Sequence, residues 1–338
     1  MAEYMRLRQI CLVAPHLEPA ISDIAAIMGL SICYRDGNVA KYGLENALLP
    51  VDTILLEVVA PTQPGTAAGR FLDKTGNRGG YMAIFCCEDP DARGAKANAM
   101  GVRTANVITH APYHGVQLHP RDCRAAFIEF NHTDGSDDVL GTYPPAGPDW
   151  QKSIRKDTTL ALTEVEMQSP EPQALAEHWG RIIGVGVTKG ADGPVLKLPN
   201  ATFRFVKGPV DLMTGLSFRV KDAAQAIELL LAPIDTLPIR TERVGLRGIS
   251  TVSFSKRPKL SGDRNRHENP AAIGREYQNG WLARREVSGC AIAEYPGKTG
   301  EFNALFGFAA LKSVLGVRVR QDGNHSEHES PLIFTNLD

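Results

Sequence analysis

Two carboxylates interrupt apolar strands in this chain, Glu57 within 54-ILLEVVA-60 and Glu129 within 126-AFIEF-130. An acid in such a setting is rarely buried without a partner, because leaving water costs the ionised form heavily. Side chains alternate along a strand, so Glu129 shares a face with Phe127 and not with Ile128 or Phe130. That face either meets solvent or gives the acid a ligand. Two such acids in one apolar pocket would repel each other or take up a proton, so their chemistry is that of protons or of a bound partner. His110, His114, His119 and His132 crowd into the stretch that carries Glu129, and 110-HAPYH-114 offers an imidazole, with His114 the candidate to reach the site. His119 precedes Pro120 and is expected to shape the turn before the strand that holds Glu129.

These residues need elements to place them, and a repeat supplies the elements. The segment 7–15 reads as a strand, 18–30 as an amphipathic helix closed by Gly29, and 53–61 as a strand rich in branched residues. The order returns at 80–89, at 90–101 with Pro90 opening and Gly101 closing the helix, and at 126–131. A third round runs through 160–168, 170–185 and 201–208. A fourth, fainter one runs through 214–222, 222–232, 237–244 and 249–255. The Gly-, Pro-, Ser- and Asp-rich stretch 132–157 reads as a linker between two pairs. The expected organisation is a first domain over 1–131, the linker 132–157, a second and degenerate domain over 158–255, and an unassigned tail over 256–338.

Composition narrows the partners. The chain has 338 residues, 43% hydrophobic and 22% charged, with 37 basic against 38 acidic side chains. That balance gives no electrostatic reason to expect nucleic acid or an anionic membrane, and a small-molecule partner is favoured. The apolar run 10-ICLVA-14 is too short for a signal segment or a span. Cysteines 11, 33, 86, 87, 123 and 290 form no C-x-x-C pair, which fits reduced thiols in a cytoplasmic protein. The pairs Gly79-Gly80 and Gly184-Val185-Gly186 lack the context of a nucleotide loop, and 325-HSEHE-329 lacks a second ligand pair.

The repeated βαβββ unit whose last strand carries an acid resembles the vicinal oxygen chelate superfamily, which includes glyoxalase I, bleomycin-resistance proteins and extradiol dioxygenases. Its methylmalonyl-CoA epimerase-like branch is the most similar. The stretch 55-LLEVVAPTQPGTAAGRFLDKTGNRGGYMAIF-85 follows that branch's strand, P-x-x-P turn and next strand. The stretch 118-LHPRDCRAAFIEF-130 follows its L-H-P-[KR]-S-x-G-G-x-x-x-E-L motif, with Asp122 for Ser and Arg124-Ala125 for the glycines. The resemblance implies an α+β fold in which four tandem βαβββ modules pair into two open β-cups, with the tail unassigned.

It also implies a divalent metal held by Gln9, Glu57, Tyr81 and Glu129, with Glu57 or Glu129 doubling as base. Such an ion would act as a Lewis acid on a substrate carbonyl. Tyr81 stands where the family usually has His; a neutral phenol is the weaker ligand for Zn, Ni or Co, and an oxygen-rich set suits Mg or Mn better. In the second half the matching positions are Glu164, Arg204, Gly215 and Ser253, no usual metal set. There Arg204 pairs with Glu164 or holds an anionic substrate group. The expected function is an isomerase, epimerase or lyase acting on a small oxygenated substrate through an enolate-like intermediate. The alternative is the same cup without metal, a non-catalytic small-molecule binder of the resistance type, and a ring-cleaving dioxygenase ranks third. A homodimer that completes the cup is also compatible with the resemblance.

Overall fold

The protein is represented by a computed structural model that describes residues 4–77, 80–221, 284–287, 290–293, 316–319 and 330–335. The helix at 222–232, the strands at 237–244 and 249–255, and Ser253 lie outside the described residues.

The first module comprises β1 (Met5–Val13), α1 (Leu17–Met28), β2 (Leu44–Val51) and β3 (Ile54–Pro61). Its remaining strand is reduced to a single bridge between Tyr34 and Leu48. A short helix, α2 (Ala67–Thr75), leads to the second module: β4 (Gly80–Cys87), α3 (Pro90–Ala99), β5 (Thr104–His110), β6 (Tyr113–Leu118), the one-turn α4 (Pro120–Cys123) and β7 (Phe127–Thr133). The third module is β8 (Thr159–Ser169), α5 (Pro172–Ile183), β9 (Val187–Lys189), β10 (Pro194–Lys197) and β11 (Thr202–Lys207). The fourth contributes β12 (Leu212–Val220). The fold is α+β and repeats the βαβββ plan.

Local chemistry accounts for the ends. Gly29 and Gly184 close α1 and α5 in the left-handed region at φ 63° and 72°, where a Cβ would be strained. Asp89 caps α3 by accepting from the Ala92 amide, and Pro90 opens the helix where no donor is needed. His119 accepts from the Arg121 amide at the start of α4, so it shapes the turn ahead of β7.

Pairing follows one rule in each module. The first strand runs parallel to the last, as β1 with β3, β4 with β7 and β8 with β11. The first strands of neighbouring modules pair antiparallel, β1 with β4 and β8 with β12. The first two modules thus make a curved seven-strand surface in the order β2-β3-β1-β4-β7-β6-β5. It touches the second half through the bridge between Gly80 and Met213. Strand β12 also pairs with Ser330–Thr335, which in turn pairs with Gly316–Val319. A separate hairpin joins Arg284–Val287 to Cys290–Ala293.

Strand alternation sends Ile10, Leu12, Leu56, Val58, Ala83 and Phe85 to the helix-covered side, where they form the main core with α1, α3 and α5. The opposite side of the first curved surface is the concave one. Stretch 132–157, expected as a linker, is packed: Tyr143 and Trp150 are buried with Leu48 and Leu55 in a small cluster of their own. Among the described residues no helix is long and apolar enough to cross a membrane. Cys11, Cys33, Cys86, Cys87 and Cys123 are unbridged.

Candidate functional site

A cavity of about 220 Å³ opens on the concave side of the first two modules and is lined by Gln9, Glu57, Tyr81 and Glu129 among others. All four expected residues are therefore brought to one place, and each is buried. The strand phase explains it. Gln9 and Cys11 on β1, and Glu57 and Val59 on β3, point away from the helices, as does Glu129 on β7.

The two acids sit in separate hydrogen-bond shells made of neutral donors. Glu57 Oε2 accepts from Gln9 Nε2 at 2.7 Å and Glu57 Oε1 from Asn46 Nδ2 at 2.6 Å. Asn46 Oδ1 is held in turn by the Asp36 amide at 2.8 Å, which keeps the Asn46 amide nitrogen aimed at Glu57. Glu129 Oε1 accepts from the Tyr113 hydroxyl, and Glu129 Oε2 from Gln117 Nε2 at 2.7 Å. Gly115, between Tyr113 and Gln117 on β6, makes room for this acid: a Cβ there would lie 2.9 Å from Glu129 Oε1.

Burial pushes both carboxyls above the ordinary carboxylate value, and the donors only partly offset it. Glu129 is pushed up further by the charge on Glu57, and Glu57 by the charge on Asp36.

Tyr81 occupies the cavity in a different manner. The β1–β4 pairing passes from Cys11 opposite Met82 to Leu12 opposite Gly80, so Tyr81 is the extra residue of a bulge. Its ring packs edge-on to Phe71 at 5.1 Å and tilted against Phe127 at 4.9 Å, and burial raises its phenol. The residue that stands between Gln9 and Glu129 in the ladder is Ile84, paired with both.

The divalent ion implied by the resemblance does not fit these donors. The ladder position shared by Gln9 and Glu129 carries a hydrocarbon, and the Gln9 carbonyl oxygen accepts from the Tyr143 hydroxyl at 2.8 Å. Among the described residues no group of three or more His, Cys, Asp or Glu is placed to hold a metal.

His114 lies outside the lining; its Nε2 is 3.0 Å from Asp91 Oδ1 on the helix side, because alternation along β6 turns it away from Tyr113 and Gly115. The histidine at the cavity is His110, at the end of β5. Arg204 belongs to the other half. Its Nε donates to Glu164 Oε1 at 2.7 Å and its Nη2 to Glu166 Oε2 at 2.8 Å, while Glu166 Oε1 accepts from Thr214. Sequence reasoning missed Asn46, Tyr113, Gln117 and Tyr143. The first three could have been found as polar residues in phase with the concave face; Tyr143 lies in an irregular segment with no such signal.

No family model matches the chain, and no curated protein matches it. Solved structures do. A point variant of the Streptomyces coelicolor methylmalonyl-CoA epimerase, solved with 2-nitronate-propionyl-CoA, is 24% identical over 38% of this chain and 94% of its own, with a TM-score of 0.34. The Mycobacterium tuberculosis methylmalonyl-CoA epimerase is 22% identical over 37% of this chain and 85% of its own, at 0.33. A hypothetical protein from Staphylococcus aureus is 15% identical over 62% and 88%, at 0.46. With TM-scores below 0.5, the functional reading stands on the site itself.

Proposed function

We propose that the chain is an isomerase, epimerase or lyase that moves a proton on a small oxygenated substrate, with Glu57 as base and Glu129 as acid. One observation carries the reading: two buried carboxyls of raised pKa line the same cavity, and each is oriented through both of its oxygens by neutral donors. A carboxyl tuned toward neutral pH is a competent base or acid for a C–H next to a carbonyl. Glu57, in its ionised form, withdraws the proton. Glu129, in its protonated form, donates to the oxygen or to the opposite face of the carbon. Val59, Tyr81, Ile84 and Ile108 give the cavity apolar wall, which strengthens the electrostatic interactions beside it. The motif resemblance makes thioesters of 2-substituted acids the first class to screen.

The test is exchange of substrate C–H for deuterium in D2O, followed by NMR across a panel of 2-substituted carbonyl compounds and thioesters. Wild-type protein is expected to exchange one of them, and Glu57→Gln to lose at least about a hundredfold in rate. The rate should rise with pH as Glu57 ionises and fall again as Glu129 loses its proton, both limbs lying above the ordinary carboxylate range. Undiminished exchange in Glu57→Gln would sink the assignment.

A second reading, binding without turnover, is favoured by the fact that each carboxylate oxygen already has an internal donor. Under it a ligand is retained equally by wild type and Glu57→Gln, and no compound in the panel exchanges.

A further inference from the structure

The segment between the second and third modules enters the site at a residue that no motif marks. We propose that Tyr143 is a positioning residue that acts on Glu57 through Gln9, by holding the Gln9 amide with its nitrogen toward the carboxylate. This rests on the reading of Glu57 as the base.

An amide side chain can present either end, and against an ionised carboxylate only the N–H end is attractive. The Gln9 oxygen accepts from the Tyr143 hydroxyl at 2.8 Å, and the Gln9 nitrogen donates to Glu57 at 2.7 Å. A flip would place two oxygens together at Glu57 and the amide nitrogen against the hydroxyl. With the hydroxyl present, the orientation that serves the ionised acid is also the one that satisfies Gln9, which is only 2% exposed.

Tyr143 is itself firmly placed. The Arg8 guanidinium lies over its ring at 4.7 Å and over the Trp150 ring at 4.8 Å. Arg8 also donates to the carbonyls of Val139 and Gly141 at 2.8 and 3.2 Å, which fixes the chain just ahead of Tyr143. On its other side Tyr143 packs edge-on against Tyr113, the donor to Glu129, with ring centres 6.1 Å apart. One aromatic residue from outside the sheet thus sits between the shells of both acids.

The experiment reads the carboxyl carbon of Glu57 by NMR at one fixed pH, in protein labelled at glutamate Cδ and with the resonance assigned by its loss in Glu57→Gln. Tyr143→Phe keeps the ring over Arg8 and removes only the hydroxyl. It is expected to shift the Glu57 resonance although Tyr143 does not touch Glu57. Gln9→Leu should shift it as well, and adding Tyr143→Phe to Gln9→Leu should change nothing further. The backbone amide spectrum reports that each variant is folded. An unmoved resonance in Tyr143→Phe overturns the proposal, and so does an equal shift from Tyr143→Phe in the Gln9→Leu background. No turnover is needed, so a missing exchange activity would count against the enzyme reading while leaving this result to stand or fall alone.

Discussion

At the scale of the residue, the site is defined by how little freedom the two acids have. Glu129 fits because β6 carries Gly115 where any Cβ would meet its Oε1 at 2.9 Å and the Tyr113 ring at 3.0 Å. Gly115→Ala is expected to push the carboxyl away from the Tyr113 hydroxyl, since both atoms nearest the new Cβ belong to that buried pair. Denaturant unfolding should show a loss of roughly 1–3 kcal/mol, the usual cost of overpacking. Exchange activity should fall with it, because an acid moved off its donor loses its aim. A variant as stable and active as wild type would mean that the carboxyl has another resting place. Gln9 was legible as a site residue through the resemblance, and Asn46 and Gln117 only as polar residues in strands. That they serve Glu57 and Glu129 depends on which strands become neighbours.

At the scale of the element, α1 carries a buried acid that the site does not use. Asp23 is 6% exposed, and burial pushes its carboxyl from 3.8 up to about 6. A raised value means that the folded state holds the proton more tightly than the unfolded chain. The stability tied to that proton is therefore complete below the unfolded value and is lost as pH rises through about 6. Asp23→Asn should stabilise the protein at pH 7 by roughly 1–3 kcal/mol, with the gap closing toward about pH 4. Thermal or urea unfolding of both proteins at the two pH values checks it; an equal gap at both would show that the Asp23 carboxyl is not held protonated by its burial.

At the scale of the whole molecule, the connection between modules is part of the fold and not a tether. Arg8 is fully buried, lies over the rings of Tyr143 and Trp150, and is bonded to the carbonyls of Thr53, Val139 and Gly141. Arg6 reaches the same segment at the carbonyls of Ser136, Asp137 and Asp138. Arg8→Ala should cost on the order of 3 kcal/mol or more, because it removes two ring contacts and leaves carbonyls without donors. Limited proteolysis should then cut within 134–154 well before the strands. Arg8→Lys is expected to restore little, since one ammonium cannot reproduce a guanidinium that meets two rings and three carbonyls through two nitrogens. Protection of 134–154 in Arg8→Ala would refute this anchoring role.

The sequence by itself determined the first strand, the helix and the last strand of each of the first three modules, the closure of α1 at Gly29, the opening of α3 at Pro90, and the alternation that sets Glu129 on one face with Phe127. These are local properties: period-two alternation, helix-end chemistry and the conformational preference of glycine act within a few residues. Only the tertiary structure decided the rest. The register that sets Ile84 beside both Gln9 and Glu129, the bulge that turns Tyr81 into an aromatic cluster, and the path that brings Tyr143 to Gln9 are all long-range outcomes. A one-residue change in pairing exchanges the two faces of a strand, and an irregular segment has no period to read. For that reason the acids and Gln9 could be picked from the chain, while the matching of each donor to its acid could not.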